Sequence, residues 1–221
     1  MKSPTLQQIK THPMVTSFIQ QGDVHLASIG FTEHSFRHAG LVSHIAENIL
    51  IRLGYPERDA ELAAIAGFLH DIGNVVAREY HGQTSSMIAF RILDELKMPY
   101  DELGKVIGAI GNHEEQYGHP VNHISAALIL ADKSDVHRTR VRNREVATFD
   151  IHDRVNYAAE RSFVRVDSEH KTITFEITID TKICPVMEYF EIFLTRLIMS
   201  RRAAAVLDTR LELEINGSKL L

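Results

Sequence analysis

The sequence predicts a mainly α chain, with a helical bundle over residues 1–149 and a small α+β module over residues 150–221. From Thr5 to about Ala147 the apolar residues recur in steps of three and four, and glycine and proline fall between the segments, which is the pattern of packed amphipathic helices. Past Arg144 the period drops to two, with Ile173, Phe175, Ile177 and Ile179 alternating with Thr172, Thr174, Glu176 and Thr178. That alternation marks a half-buried strand.

The first strongly patterned helix runs from His34 to Leu53, with Val42, Ile45, Ala46, Ile49 and Leu53 on one stripe and Gly54 at the expected C-cap. Asp59 to Leu69 repeats the pattern with Leu62, Ile65, Ala66 and Leu69, and His70 and Asp71 stand at its end. Three further helices follow, Thr84 to Leu96, Tyr100 to Asn112 and His123 to Asp135, joined by the turn signals Met98-Pro99 and Gly118-His119-Pro120. Gly104, Gly108 and Gly111 are expected to let helices pack closely. In the C-terminal part, Phe163 to Asp167 should pair with the threonine-rich strand through Ser168-Glu169-His170. Pro185 then opens a long helix to Leu207, with Tyr189, Phe190, Phe193, Leu197 and Ile198 facing inward. Leu211, Leu213 and Ile215 form a last alternating strand before the turn Asn216-Gly217, which completes a β-β-α-β module.

Composition narrows the function class. The 221 residues include 44% hydrophobic and 24% charged, and 24 basic against 29 acidic side chains leave a net charge of −5. That balance argues against a broad nucleic-acid or anionic-membrane surface. One cysteine, Cys184, excludes an internal disulfide, and no apolar run approaches the ~20 residues of a membrane helix. The opening MKSPTLQQIK has no apolar core of signal-peptide length, so a cytoplasmic location is expected. Against no tryptophan there are 13 histidines, the side chain most used for metal ligation and neutral-pH proton transfer.

His70-Asp71 sets an imidazole beside a carboxylate at the end of an apolar helix, pointing ~100° apart, so the pair can grip one cation or bridge two. Alternatively His70 is an imidazolium facing the helix dipole and Asp71 begins a turn. His38 lies on an apolar stripe one turn before Val42, and Asp132 closes the run Ala126 to Ala131, so both need partners inside. His38, His70, Asp71 and Asp132 together offer two nitrogens and two carboxylates, a set suited to Mn, Fe, Zn or Mg. His81 and His113, with Asp71, would hold a second ion; otherwise His81 simply opens its helix and His113 pairs with Glu114 or Glu115. His34 reads as a packed, hydrogen-bonded histidine, and His152-Asp153 as an ordinary surface pair.

From Phe31 to Arg140 the chain resembles the HD-domain superfamily of metal-dependent phosphohydrolases. The resemblance rests on His38 with Val42 and Ala46, the run Ala66-Gly67-Phe68-Leu69-His70-Asp71-Ile72-Gly73, His81 with Ser85 and Ala89, Asn112-His113, and Leu130-Ala131-Asp132-Lys133, in the family's order. It implies a helical HD bundle in which His38, His70 and Asp132 hold one divalent metal, Asp71 bridges, and His81 and His113 complete a binuclear site. Many members have a phosphate-contacting lysine where Asn74 stands, so phosphate contacts are sought at Lys133, Arg138 and Arg140. The arginines 138, 140, 142 and 144 read equally well as a solvated basic edge.

The expected activity is hydrolysis of a phosphate ester, most simply of a nucleotide, by a metal-activated water oriented by Asp71, with Lys133 or Arg138 holding a non-reacting phosphate. The alternatives are di-iron oxygenase chemistry, as in the relative myo-inositol oxygenase, and a non-catalytic binding module with a degenerate metal site. The partner is then a small phosphorylated substrate, and the C-terminal module is where a homo-oligomer contact is expected.

Overall fold

The computed structural model describes residues 3–143 and 145–221, so Arg144 lies outside the described residues. Helices α1 (Leu6–Lys10) and α2 (Pro13–Ser28) precede the predicted bundle of α3 (Phe36–Arg52), α4 (Glu57–Leu69), α5 (His81–Glu95), α6 (Tyr100–Gly111) and α7 (His123–Lys133). A short helix α8 (Ile151–Ala158) leads into strands β1 (Ala159–Asp167) and β2 (Thr172–Ile179), then α9 (Val186–Val206), β3 (Arg210–Ile215) and β4 (Ser218–Lys219). The sheet order is β1-β2-β3-β4, with β2 and β3 parallel across the α9 crossover and the outer pairs antiparallel.

Helix α3 begins at Phe36 because Ser35 caps it, accepting from the Arg37 amide, so His34 sits in the extended segment before the helix and not on its face. Val42, Ala46 and Ile49 are fully buried, as are Leu62, Ile65, Ala66 and Leu69 of α4. Gly54 takes φ +80° just past the C-cap, the left-handed conformation that glycine adopts without steric cost. Close packing, however, is not where the α6 glycines lie. A Cβ at Gly104 would meet nothing within 4 Å, and at Gly108 and Gly111 only ordinary contacts, whereas at Gly67 it would stand 2.8 Å from the Ser43 Cα. Gly67 is therefore what lets α4 close on α3, and Ala66-Gly67 brings His70 up to His38.

Tyr189, Phe193 and Leu197 of α9 are buried as predicted, while Ile198 lies at the rim, 36% exposed. The core runs without a break from Ile9 to Ile215, with α9 packed on α7. Helix α8 and strand β4 go beyond the predicted elements. The buried stripe of α8, Val155 and Ala158, is too short to register as a period. Among the described residues no helix is long and apolar enough to cross a membrane.

Candidate metal centre

Each ligating side chain sits at an end of a helix. His38 is in the first turn of α3, His70 and Asp71 follow α4, His81 opens α5, His113 follows α6, and Asp132 is in the last turn of α7. Five helices thus deliver six side chains to one point inside the bundle. All four histidines are buried, His38 and His70 completely.

Every one of these rings spends its Nδ1–H on a partner behind it. His70 donates to the Gly67 carbonyl (2.8 Å), His113 to Ile110 (2.7 Å), His81 to Arg78 O (3.0 Å) and to the Glu114 carboxylate (2.7 Å). His38 donates to Asp135 Oδ2 at 2.7 Å. A carbonyl or carboxylate accepts the Nδ1–H, so each ring in its neutral form turns an Nε2 lone pair inward. Those lone pairs face each other, His38 to His70 at 3.2 Å and His81 to His113 at 3.1 Å. Two neutral acceptors so placed repel, and a cation between them converts the repulsion into ligation, at a spacing that nitrogens about 2.0–2.1 Å from one ion can reach.

Asp71 lies between the two pairs. Its Oδ2 is 3.5 Å from His38 Nε2 and 3.4 Å from His70 Nε2, and its Oδ1 is 3.1 Å from His81 Nε2 and 3.9 Å from His113 Nε2. Asp132 Oδ1 closes the first pair, 3.4 Å from His38 and 3.6 Å from His70. The donor atoms fall into three overlapping groups, His38-His70-Asp71, His70-His113-Asp132 and Asp71-His81-His113, each within 4.8 Å. The donors fit one or two divalent ions.

Electrostatics keep both carboxylates and His113 in their ligating forms, whereas Asp132 and Asp135 around His38, and Asp71 and Glu114 around His81, overcome burial and raise those two imidazoles. Burial alone would raise Asp71 and Asp132, but His70 and His81 around the first, and Lys133 and His38 around the second, hold both carboxyls well below their usual range. Burial, reinforced by His70 and His81, pushes His113 down to about 3, so it is a neutral imidazole. Behind His38, Asp135 is clamped by Arg37 (Nη2 to Oδ2, 2.8 Å), and the Arg140 Nη1 donates to its backbone carbonyl at 2.9 Å. Burial opposes ionisation of Asp135, and Arg140 with His38 overcomes it.

A cleft of about 430 Å³ opens onto Asp71, His81, His113 and Asp132, and four basic side chains border it: Arg78, Lys133, Arg140 and Arg196. Lys133 reaches the cleft already paired, to Asp132 Oδ2 at 2.8 Å and to Glu115 Oε2 at 2.7 Å. Arg138 does not reach it. Its guanidinium pairs with Glu160 (3.0 Å) and lies over the Tyr157 ring, because the one-turn 3₁₀ segment Arg138–Arg140 sends the first arginine out and the third in. Arg142 pairs with Asp23, away from the ligands. His34 is packed and hydrogen-bonded, its Nδ1 on the Thr32 carbonyl and its Nε2 accepting from Arg140 at 3.1 Å, at the edge of the cleft. His152 is exposed but lines the same cleft, so its dipeptide is not only a surface feature.

Four contributors carried no clear sequence signal. Asp135 lies one helical turn past Asp132, a spacing that could have suggested it. Arg78, 3.8 Å from Asp71 Oδ1, is held by Asn74, whose Oδ1 accepts from it at 3.2 Å. Glu114 and Arg196 arrive through contacts 32 and 81 residues long in sequence.

The chain is 32% identical over 121 residues to ribonuclease Y of Aliarcobacter butzleri, covering 54% of this chain and 21% of that protein. It is 34% identical over 101 residues to ribonuclease Y of Aquifex aeolicus, covering 46% and 16%. The chain therefore spans about a fifth of the length of the curated relatives it matches. Residues 31–158 match the family described as HD domain. A match over more than half the chain, falling on the stretch that carries all six candidate ligands, makes this protein a member of the HD domain family.

Proposed function

We propose that the chain is a divalent-metal-dependent phosphohydrolase that cleaves a phosphate ester of a nucleotide, with water as the nucleophile. The observation that carries this reading is the bridging position of Asp71, one oxygen toward His38 and His70 and the other toward His81 and His113. Bound there, divalent cations supply Lewis acidity toward a phosphoryl oxygen and lower the pKa of a water. His38, His70 and Asp132 would hold one ion, His81 and His113 the other, with Asp71 shared.

The chain's remaining work is to bind and orient an anion. Arg78 stands at the cleft 3.8 Å from Asp71, fixed by Asn74, and so supplies the cationic group that a lysine at the Asn74 position would have brought. Arg140 and Arg196 face the same space, while Lys133 is largely neutralised by Asp132 and Glu115. Arginine suits this task because its planar fork pairs with two oxygens of a phosphate. Hydrogen-bonded imidazoles and carboxylates give a preorganised wall that does not need to reorient as charge develops on phosphorus.

The name of the matched relatives favours a second reading, in which the ester is an RNA phosphodiester. The net charge of −5 and the modest cleft support the small nucleotide instead. Phosphate release from nucleoside mono- and diphosphates, run beside cleavage of a short RNA in Mn²⁺ or Mg²⁺, separates the two. Absence of hydrolysis on both, with metal bound, would overturn the proposal, and iron-dependent oxygen uptake would replace it with oxidative chemistry.

A further inference from the structure

Behind Arg78 and Arg140 the metal cleft continues into a second chamber of about 300 Å³, walled by Phe31 and Thr32, by α8 and by Phe193 and Arg196 of α9. Its size is at the lower end for small-ligand pockets. Arg78, Arg140 and Arg196 border both spaces, and the phosphoryl chemistry uses none of the chamber's other walls.

Two features describe what would fit. The walls carry flat surface: Phe31 is 41% exposed with the Arg78 guanidinium 5.6 Å from its ring centre, and the Arg196 guanidinium, 4.8 Å over the buried Phe193 ring, adds a planar face. The α8 side presents acceptors. Asp150, Asp153 and Asn156 follow one another at three-residue steps, and all three line the chamber. Asn156 spends its Nδ2 on the His152 carbonyl (2.9 Å), which fixes the orientation of the amide, and its buried Oδ1 has no hydrogen-bond partner. A buried acceptor left unsatisfied is a standing cost that a donor from a ligand removes.

We propose that this chamber takes the base of the nucleotide and selects guanine. Guanine is planar, and its ring N1–H and 2-amino group set two donors side by side, which matches Asp153 and Asn156. Adenine offers one amino group beside a ring acceptor, and uracil one N–H between two carbonyls, so both bring lone pairs against this wall. The inference rests on the phosphohydrolase reading only in supposing a nucleotide.

The test is isothermal titration of the full chain, treated with EDTA, with guanosine, inosine, adenosine and uridine, so that neither metal nor phosphate enters the readout. Guanosine should bind tightest, by about tenfold or more over adenosine and uridine, with inosine between because it lacks the 2-amino donor. Asp153→Asn and Asn156→Leu, each melting as the parent does, should lose most of that preference. Equal affinities, no detectable binding, a preference for another base, or an unchanged preference in both variants would overturn the assignment. Phosphate release by the metal-loaded chain is scored apart. Hydrolysis in a chain with no base preference sinks the chamber and leaves the reaction, and a guanosine preference in a chain that hydrolyses nothing sinks the reaction alone.

Discussion

The Nε2 atoms of His38 and His70 face each other at 3.2 Å although each ring has given its Nδ1 hydrogen to a partner on its far side, Asp135 for one and Gly67 O for the other. As neutral imidazoles neither can donate to its neighbour. The same arrangement recurs at 3.1 Å between His81 and His113, and Asp71 touches both pairs.

Because it is shared, Asp71 should be the single most damaging ligand to lose. Asp71→Ala is expected to bind neither ion and to release no phosphate, whereas His113→Ala should retain metal at the His38-His70-Asp132 end. Elemental analysis after desalting distinguishes the two variants, and full metal uptake by Asp71→Ala would contradict the bridging role.

Asp135 is not itself a proposed ligand but orients His38 and neutralises Arg37 and Arg140. Asp135→Asn should weaken metal affinity by about 10–100-fold, the usual effect of losing the partner behind a ligating histidine. Metal titration against a competing chelator measures it.

Of the basic side chains, Arg78 faces the cleft and Arg138 faces Glu160. Arg78→Ala should raise the KM for a phosphate ester by about tenfold or more, and Arg138→Ala should leave kcat/KM within about twofold. Steady-state kinetics on the two variants side by side reverses the assignment if Arg138 proves the costlier loss.

Two glycine replacements should move stability in opposite directions. Gly67→Ala drives a Cβ to 2.8 Å from the Ser43 backbone and should cost about 1–3 kcal/mol. Gly104→Ala, on an exposed helical site with open space, should stabilise by about 0.5–1 kcal/mol. Urea unfolding of the EDTA-treated protein reads both.

Burial raises the Glu115 carboxyl, but Lys133 and Arg196 overcome it and hold the group at about 2, below its unfolded value of 4.5. A depressed acid contributes stability that is fully present above the unfolded pKa and is lost as pH falls through the folded one. Glu115→Gln should therefore destabilise the metal-free protein at pH 7 by on the order of 2 kcal/mol, with the gap to the parent closing between about pH 4.5 and pH 2. A gap that does not change with pH would show that packing, not charge, is what the substitution removes.

The convergence of the six candidate ligands was legible because each is a polar residue where an apolar stripe demanded an apolar one, or at a helix end that the stripe aims inward. His38 shares the stripe of Val42 and Ala46, and Asp132 closes an unbroken apolar run. The helix boundaries of the bundle and the β-β-α order were equally readable, since period and turn residues agree there. What stayed hidden depends on distance in the chain. Asp135 meets Arg37 across 98 positions and Arg196 meets Glu115 across 81, and arginines in polar stretches look alike until the fold turns one inward. Arg138 and Arg140, two residues apart and opposite in direction, show why composition alone could not choose between them.

Helix α9, which begins 54 residues after the last candidate ligand, forms one side of the space beside the cage. On the proposed function, a recombination joint between Asp132 and α8 would exchange Asp153, Asn156 and Arg196 while all six candidate ligands are inherited intact, so chimaeras between HD proteins offer a route to redirecting specificity.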